Sequence, residues 1–227
     1  MDGNSVDSET VRQADYEIKL RYAYFDPLES QPAVPADLGA DGVNELHIVQ
    51  FVTQPLSEFV PAVEAIGATV YQYLANYAYV VRAPASALGE LRELSFVRSV
   101  APYHPAYRLE ESLLDELSQG VSSPEERLYS IMLLRRGPAG HEPVVERLAE
   151  LGKEAYGMCP ECIRLEAFLT LDELLEIVQM NEIAFIDLPG EIEFAVNNAR
   201  QVCGANHIES LAGYRGTGFK PTARLRR

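Results

Sequence analysis

Residues 45–103 read ELHIVQFVTQPLSEFVPAVEAIGATVYQYLANYAYVVRAPASALGELRELSFVRSVAPY, and their periodicity decides the fold. Leu46–Val52 is a short apolar run rich in β-formers and reads as a strand. Phe59, Val60, Val63 and Ile66 recur at helical spacing within Leu56–Ile66, and Gly67 ends the pattern. Thr69–Leu74 and Tyr77–Ala83 are β-branched and aromatic runs split by a short Ala-Asn turn, which predicts a hairpin. Pro84–Leu94 gathers Leu88, Leu91 and Leu94 on one helical face, and Phe96–Ala101 is a last strand closed by Pro102. The order β-α-β-β-α-β, with two helices on one side of a four-stranded antiparallel sheet, is the ferredoxin-like arrangement.

The same order returns downstream. Leu128–Leu134 reads as a strand, and Pro143–Leu151 as a helix with Val144, Val145, Leu148 and Leu151 inward, ended by Gly152. Lys153–Met158 and Cys162–Phe168 form a second hairpin around Pro160 and Glu161. Thr170 with Glu173 three residues on predicts a capping box at the start of a helix over Leu171–Met180. Ile183–Leu188 closes the unit before Pro189. The helix-ending Gly67 and Gly152 lie about 85 residues apart, so the expectation is α+β, with two tandem ferredoxin-like modules and helices on one face of each antiparallel sheet. The resulting domain plan is an arm over 1–44, module one over 45–106, an acidic connector over 107–126, module two over 127–190 and a tail over 191–227.

Within the arm, Met1–Ile18 is polar and without a sustained period, which predicts disorder or loose attachment. Pro27, Pro32 and Pro35 then bias Lys19–Asn44 toward extended and turn conformations. In the connector, Leu109, Leu113, Leu114 and Leu117 can form a short amphipathic helix before Gly120. Both faces of the first sheet are apolar: Leu46 and Ile48 oppose Val49 and Phe51, and Tyr79 and Val81 oppose Ala78 and Val80. Either these are simply hydrophobic central strands, or a sister module, partner chain or larger domain covers the face that the helices leave open.

Composition narrows the function. A net charge of −15 and a pI of about 4.7 repel phosphate backbones and anionic lipid heads, so no nucleic-acid partner and no membrane partner are expected. No apolar run has the length of a membrane span, and the polar, acidic start shows no secretory signal, which leaves the localisation unknown. Three cysteines are too few for a disulfide scaffold.

Several strings resemble a known family. HIVQF at His47–Phe51 is similar to the first strand of the propeptide inhibitor domain of subtilisin-like serine peptidases. FDPL at 25–28, PADL at 35–38, GATVYQYLANYAYVVR at 67–82 and VAPYHPAYRL at 100–109 resemble the N-terminal region of a bacterial and archaeal group with two tandem modules before the catalytic domain. ARQVCGANHIESLAGYRGTG at 199–218 resembles the helix and glycine-rich lead into that domain. The family continues there with an Asp-Thr-Gly motif, whereas this chain reads FKPTARLRR over 219–227. Asp, His and Ser of the catalytic triad are all absent, so no catalytic residue, no cofactor and no enzyme activity are expected of the chain as it stands. The basic tail raises the expectation of a truncated or frameshifted peptidase.

The resemblance implies a non-catalytic intramolecular chaperone and inhibitor, whose partner is a subtilisin-like catalytic domain in cis or in trans, and secretion as in the family. It also implies that the chain after the last strand of module two, Pro189, Gly190, Glu191, Ile192, Glu193 and Phe194, lies extended in the peptidase cleft by strand addition; the alternative for that segment is a plain linker. The alternative function is a stand-alone regulatory or protein-interaction module with paired ferredoxin-like domains.

Other constellations carry less. Cys159 and Cys162 with Cys203 and His207 make a Cys₃His set on paper, but Leu74 and Tyr77 occupy the matching places in module one, so the positions call for apolar bulk and no metal is assigned. A redox C-x-x-C wants a helix N-terminus, and this one sits in a turn. His47, His104, His141 and His207 pair with no nucleophile, and Tyr71, Tyr73, Tyr77 and Tyr79 read as cross-strand packing.

Overall fold

A computed structural model of the chain describes residues 15–21, 23–120, 123–159 and 161–189. Within them the fold is mixed α+β, with antiparallel sheets and five α-helices. The arm contributes two short strands, β1 (Ile18–Lys19) and β2 (Tyr24–Phe25), paired antiparallel. Then come β3 (Leu46–Phe51), α1 (Phe59–Ala65), β4 (Thr69–Leu74), β5 (Ala78–Arg82), α2 (Leu88–Glu93) and β6 (Val97–Pro102). The sheet order is β4-β5-β3-β6, with every pairing antiparallel. Val49, Phe51, Val81 and Ala83 point to the helix side and pack on Phe59, Val63 and Leu91. The Phe51, Phe59 and Phe96 rings meet there, with Phe59 and Phe96 stacked at 4.2 Å. Burying an aromatic such as Phe51 is worth about 1.5–3 kcal/mol, so this small cluster is a substantial part of what holds the two helices down.

A 3-10 turn at Pro105–Arg108 leads into α3 (Glu111–Ser118), the amphipathic helix expected in the connector. The second unit follows as β7 (Arg127–Leu133), α4 (Pro138–Glu150), β8 (Arg164–Leu169), α5 (Leu171–Val178) and β9 (Ile183–Asp187), with sheet order β8-β7-β9. Thr170 and Glu173 form the expected reciprocal capping box at α5. Gly152, at φ +72°, closes α4: its N–H donates to Ala149 and the Lys153 N–H to Leu148, a Schellman end that needs a left-handed residue.

Two elements differ from expectation. Helix α4 begins at Pro138 rather than Pro143: Pro138 takes the first helical position, where no N–H is required, and Pro143 lies inside the helix, where the bond to the Ala139 carbonyl is lost. The strand expected over Lys153–Met158 is reduced to one antiparallel bridge, Tyr156 with Glu166. Lys153 is held at the helix end by Glu126 and Glu173, and Gly157 turns the chain at φ +67°, so too few residues remain to extend a ladder. With that bridge counted as a vestigial strand, the sequence of pairings in the second sheet repeats that of the first.

The arm is more than an appendage. Ile18, Leu20, Phe25 and Leu38 are buried in one continuous core with Leu46, Ile48, Ala78 and Val80, the side of the first sheet that α1 and α2 leave open. The same core passes through Tyr103, Tyr107 and Leu109 to Ile131, Leu148, Leu169 and Leu174 of the second unit. The loose attachment expected of Ile18 is thus replaced by full burial; residues 1–14 lie outside the described residues.

Candidate functional site

The second sheet has one face that the first lacks. Alternation along β7 and β8 sends Tyr129, Ile131, Leu133, Leu165, Ala167 and Leu169 into the core beside α4 and α5. The residues between them face the other way: Ser130 is buried there, while Met132, Arg164 and Phe168 are exposed. Met132 is 41% exposed and Phe168 44%, and Tyr156 on the neighbouring bridge is 45% exposed. Register places Met132 opposite both Arg164 and Phe185, and Leu128 opposite Phe168. The Tyr156 and Phe168 rings meet edge-on at 6.1 Å. Arg164 is paired with Glu166 at 2.6 Å, so the polar strip across the face is internally compensated. Arg21 of the arm lies over the Phe185 ring at 5.2 Å and marks one border.

Cys159 and Cys162 form a disulfide that closes the turn next to this face, where Met158 is also exposed. The cysteine pair therefore locks a turn. Cys203 and His207, the remainder of the paper metal set, lie outside the described residues, and among those described no group of three or more His, Cys, Asp or Glu is arranged to hold a metal ion.

Of the six residues assigned to the peptidase cleft, the structure describes Pro189 alone. It is half-buried and follows β9. Gly190, Glu191, Ile192, Glu193 and Phe194 lie outside the described residues. The approach to Pro189 is held on three contacts. Leu109 pairs with Ile186 in a parallel bridge, the Glu110 N–H donates to the Ile186 carbonyl at 2.9 Å, and the Leu188 N–H donates to the Glu110 carboxylate at 3.1 Å. The chain leaves the second sheet from a fixed point.

The first sheet's corresponding face is sealed by a polar network that sequence reading missed. Gln50, fully buried, donates to the Tyr16 and Asn76 carbonyls at 2.8 and 3.0 Å and accepts from Arg98 at 2.7 Å. Arg98 also forms a two-pronged pair with Asp26, at 2.7 and 2.6 Å, and lies over the Tyr16 ring at 4.1 Å. The Arg98 guanidinium holds the Asp26 carboxyl below its usual range. Tyr16, Ile18 and Leu20 alternate in the sequence, a strand-like signal that could have placed this segment on the sheet.

His104 fixes the other end of the arm. Its Nδ1 accepts the Ala40 N–H at 2.8 Å, and burial, reinforced by nearby Arg108, pushes its pKa down. Burial also lowers that of His47. His141 donates from Nδ1 to the Gly137 carbonyl at 2.7 Å at the start of α4. All three act in the scaffold.

Among known families, Domain of unknown function (DUF8729) matches residues 19–104. That stretch takes in most of the described arm and the whole first sheet, the parts that share a core here. No curated protein and no solved structure matches the chain. No helix among the described residues is long and apolar enough to cross a membrane.

Proposed function

We propose that the chain is a non-catalytic, propeptide-like protein of the subtilisin-like peptidase type, built from two tandem ferredoxin-like modules, and that it chaperones or inhibits a peptidase domain. The strand order supports the modular part of this reading. Order β4-β5-β3-β6 with a helix after the first and third strands is the ferredoxin-like pattern, and the second unit carries it with one strand shrunk to a bridge.

The observation that carries the docking part is the contrast between the two sheets. The first has its open side filled by the chain's own arm, and the second presents Met132, Tyr156 and Phe168 bare. The second is also the sheet whose last strand delivers Pro189, where the proposed cleft-binding segment begins. A domain docked on that face would receive the segment from a fixed exit and gain main-chain hydrogen bonds by strand addition.

The test is inhibition in trans. The purified chain is titrated against a subtilisin-type peptidase with a chromogenic peptide substrate. Nanomolar inhibition that weakens at least tenfold in a Met132→Asp/Phe168→Asp variant supports the reading, since desolvated apolar anchors carry most of a binding energy. No inhibition at micromolar protein, with the fold intact by circular dichroism, sinks it.

A further inference from the structure

We infer that the outer edge of the first sheet is a second docking site, independent of the proposed peptidase-facing surface, and that it takes an extended acidic peptide segment of a partner protein by strand addition. The observations begin with the hydrogen-bond register. The Ala83 N–H donates to the Glu45 carbonyl and the Phe51 N–H to that of Tyr77, so the odd-numbered residues of β3 bond toward β5. The Tyr103 N–H donates to the Leu46 carbonyl, so the even-numbered residues bond toward β6, where Ile48 pairs with Ala101 and Gln50 with Ser99. The intervening residue of β6, Val100, therefore turns its N–H and C=O away from the sheet. β6 is an edge strand. Pro102 removes one outward donor at its end and leaves that of Val100 in place.

This edge is the floor of a groove of about 290 Å³. Pro27, Leu28 and Gln31 of the arm line it together with Arg92 of α2 and residues 97–101 of β6. A strand edge flanked by a helix and a loop is the geometry that receives an added strand. Two side chains in the groove lack partners. Ser99 is 8% exposed, and its hydroxyl makes no hydrogen bond. Arg92 has no ion pair among the described residues, although the protein as a whole carries −15. Leu28 is 63% exposed at the rim and offers an apolar contact.

These features specify the occupant's chemistry. Its backbone pairs with Val100, a carboxylate reaches Arg92, and an apolar side chain covers Leu28. A second copy of the chain fits poorly. The β6 strand reads VRSVAP, so its twofold mate would bring no carboxylate to Arg92.

The experiment uses the intact chain and a short capped peptide alternating valine and glutamate, with the matching valine–lysine peptide as control. Binding is read by fluorescence anisotropy, and amide hydrogen exchange is followed at Val100. The acidic peptide is expected to bind and to slow Val100 exchange. Arg92→Glu, an exposed change on α2, should weaken binding about tenfold while leaving the unfolding midpoint unchanged. Equal binding of the lysine peptide, binding unaffected by Arg92→Glu, or binding without slower Val100 exchange each overturns the inference. So does concentration-dependent self-association that protects Val100 without peptide. The Met132→Asp/Phe168→Asp variant should bind this peptide normally, so failure of the peptidase reading and failure of this one are separately visible.

Discussion

Replacing Arg108 by methionine should cost the protein about 2 kcal/mol, at about 1 kcal/mol for each of two orphaned acceptors. Arg108 is 0% exposed and has no carboxylate against it. Its guanidinium instead donates to four oxygens: the Val178 and Met180 carbonyls at 3.2 and 2.8 Å, Asn44 Oδ1 at 2.6 Å and the Tyr103 carbonyl at 2.9 Å. Val178 and Met180 mark the C-terminal end of α5, where carbonyls run out of intrahelical donors and the helix dipole is negative. Asn44 and Tyr103 bracket the first sheet, so one side chain clasps the two modules. Burial lowers the pKa of Arg108 to about 10, the mark of a charge held in a poor solvent. Methionine fills a similar volume and removes that desolvation cost, which offsets part of the loss. It also strands Asn44 Oδ1 and the Val178 carbonyl, while the Tyr103 carbonyl keeps the Asn44 amide at 3.3 Å and the Met180 carbonyl keeps the Ile183 N–H at 3.4 Å. The low end of the penalty per acceptor is therefore the appropriate one. Urea unfolding of Arg108→Met against the parent measures it. Arg108→Lys, with the charge but no fork, should fall between them. A loss below about 1 kcal/mol for methionine would refute the clasp, since that is the scale of a single ordinary hydrogen bond.

Three further outcomes follow from the same geometry. Gly140→Ala in α4 should destabilise by at least ~2 kcal/mol in thermal or urea unfolding, because the new Cβ would sit 2.2 Å from the Arg135 carbonyl oxygen, and the ~1 kcal/mol helix preference for alanine cannot offset a backbone clash. Thr170→Ala should cost about 1 kcal/mol by removing the cap of α5. Stability should fall on acidification: the folded pKa values of His47 and His104 lie below the ordinary 6.5, so the unfolded chain binds more protons in the window beneath 6.5. The contribution is whole above about pH 6.5 and is lost as pH drops through the folded values. A His47→Gln/His104→Gln variant should show a flatter profile between pH 7 and 5, and an unchanged slope would contradict the burial of these rings.

Local signals made the first module legible. The β-former-rich run around HIVQF, the tyrosine hairpin and the leucine spacing of α2 each place their element within a few residues. What was not legible depended on distance. Nothing local says that Arg108 lies beneath the end of α5, seventy positions on, because an arginine at a turn reads as a surface charge until its surroundings are known. The arm was obscured by its prolines, which signal irregular backbone correctly but say nothing about whether Phe25 and Leu38 between and beside them are buried. The shortened strand at Tyr156 failed for a third reason: the Lys153 ion pairs and the turn at Gly157 compete with the ladder.

These misses bear on the candidate site together. The apolarity of the first sheet pointed to a missing cover, and the arm supplies it from within the chain. Met132 and Phe168 stay exposed on the second sheet, where Ser130, Glu166 and Arg164 lie between them and break any continuous apolar pattern. Exposure of Met132 and Phe168 gains meaning only against the sealed first sheet, and the docking face of the proposed function therefore belongs to the second sheet.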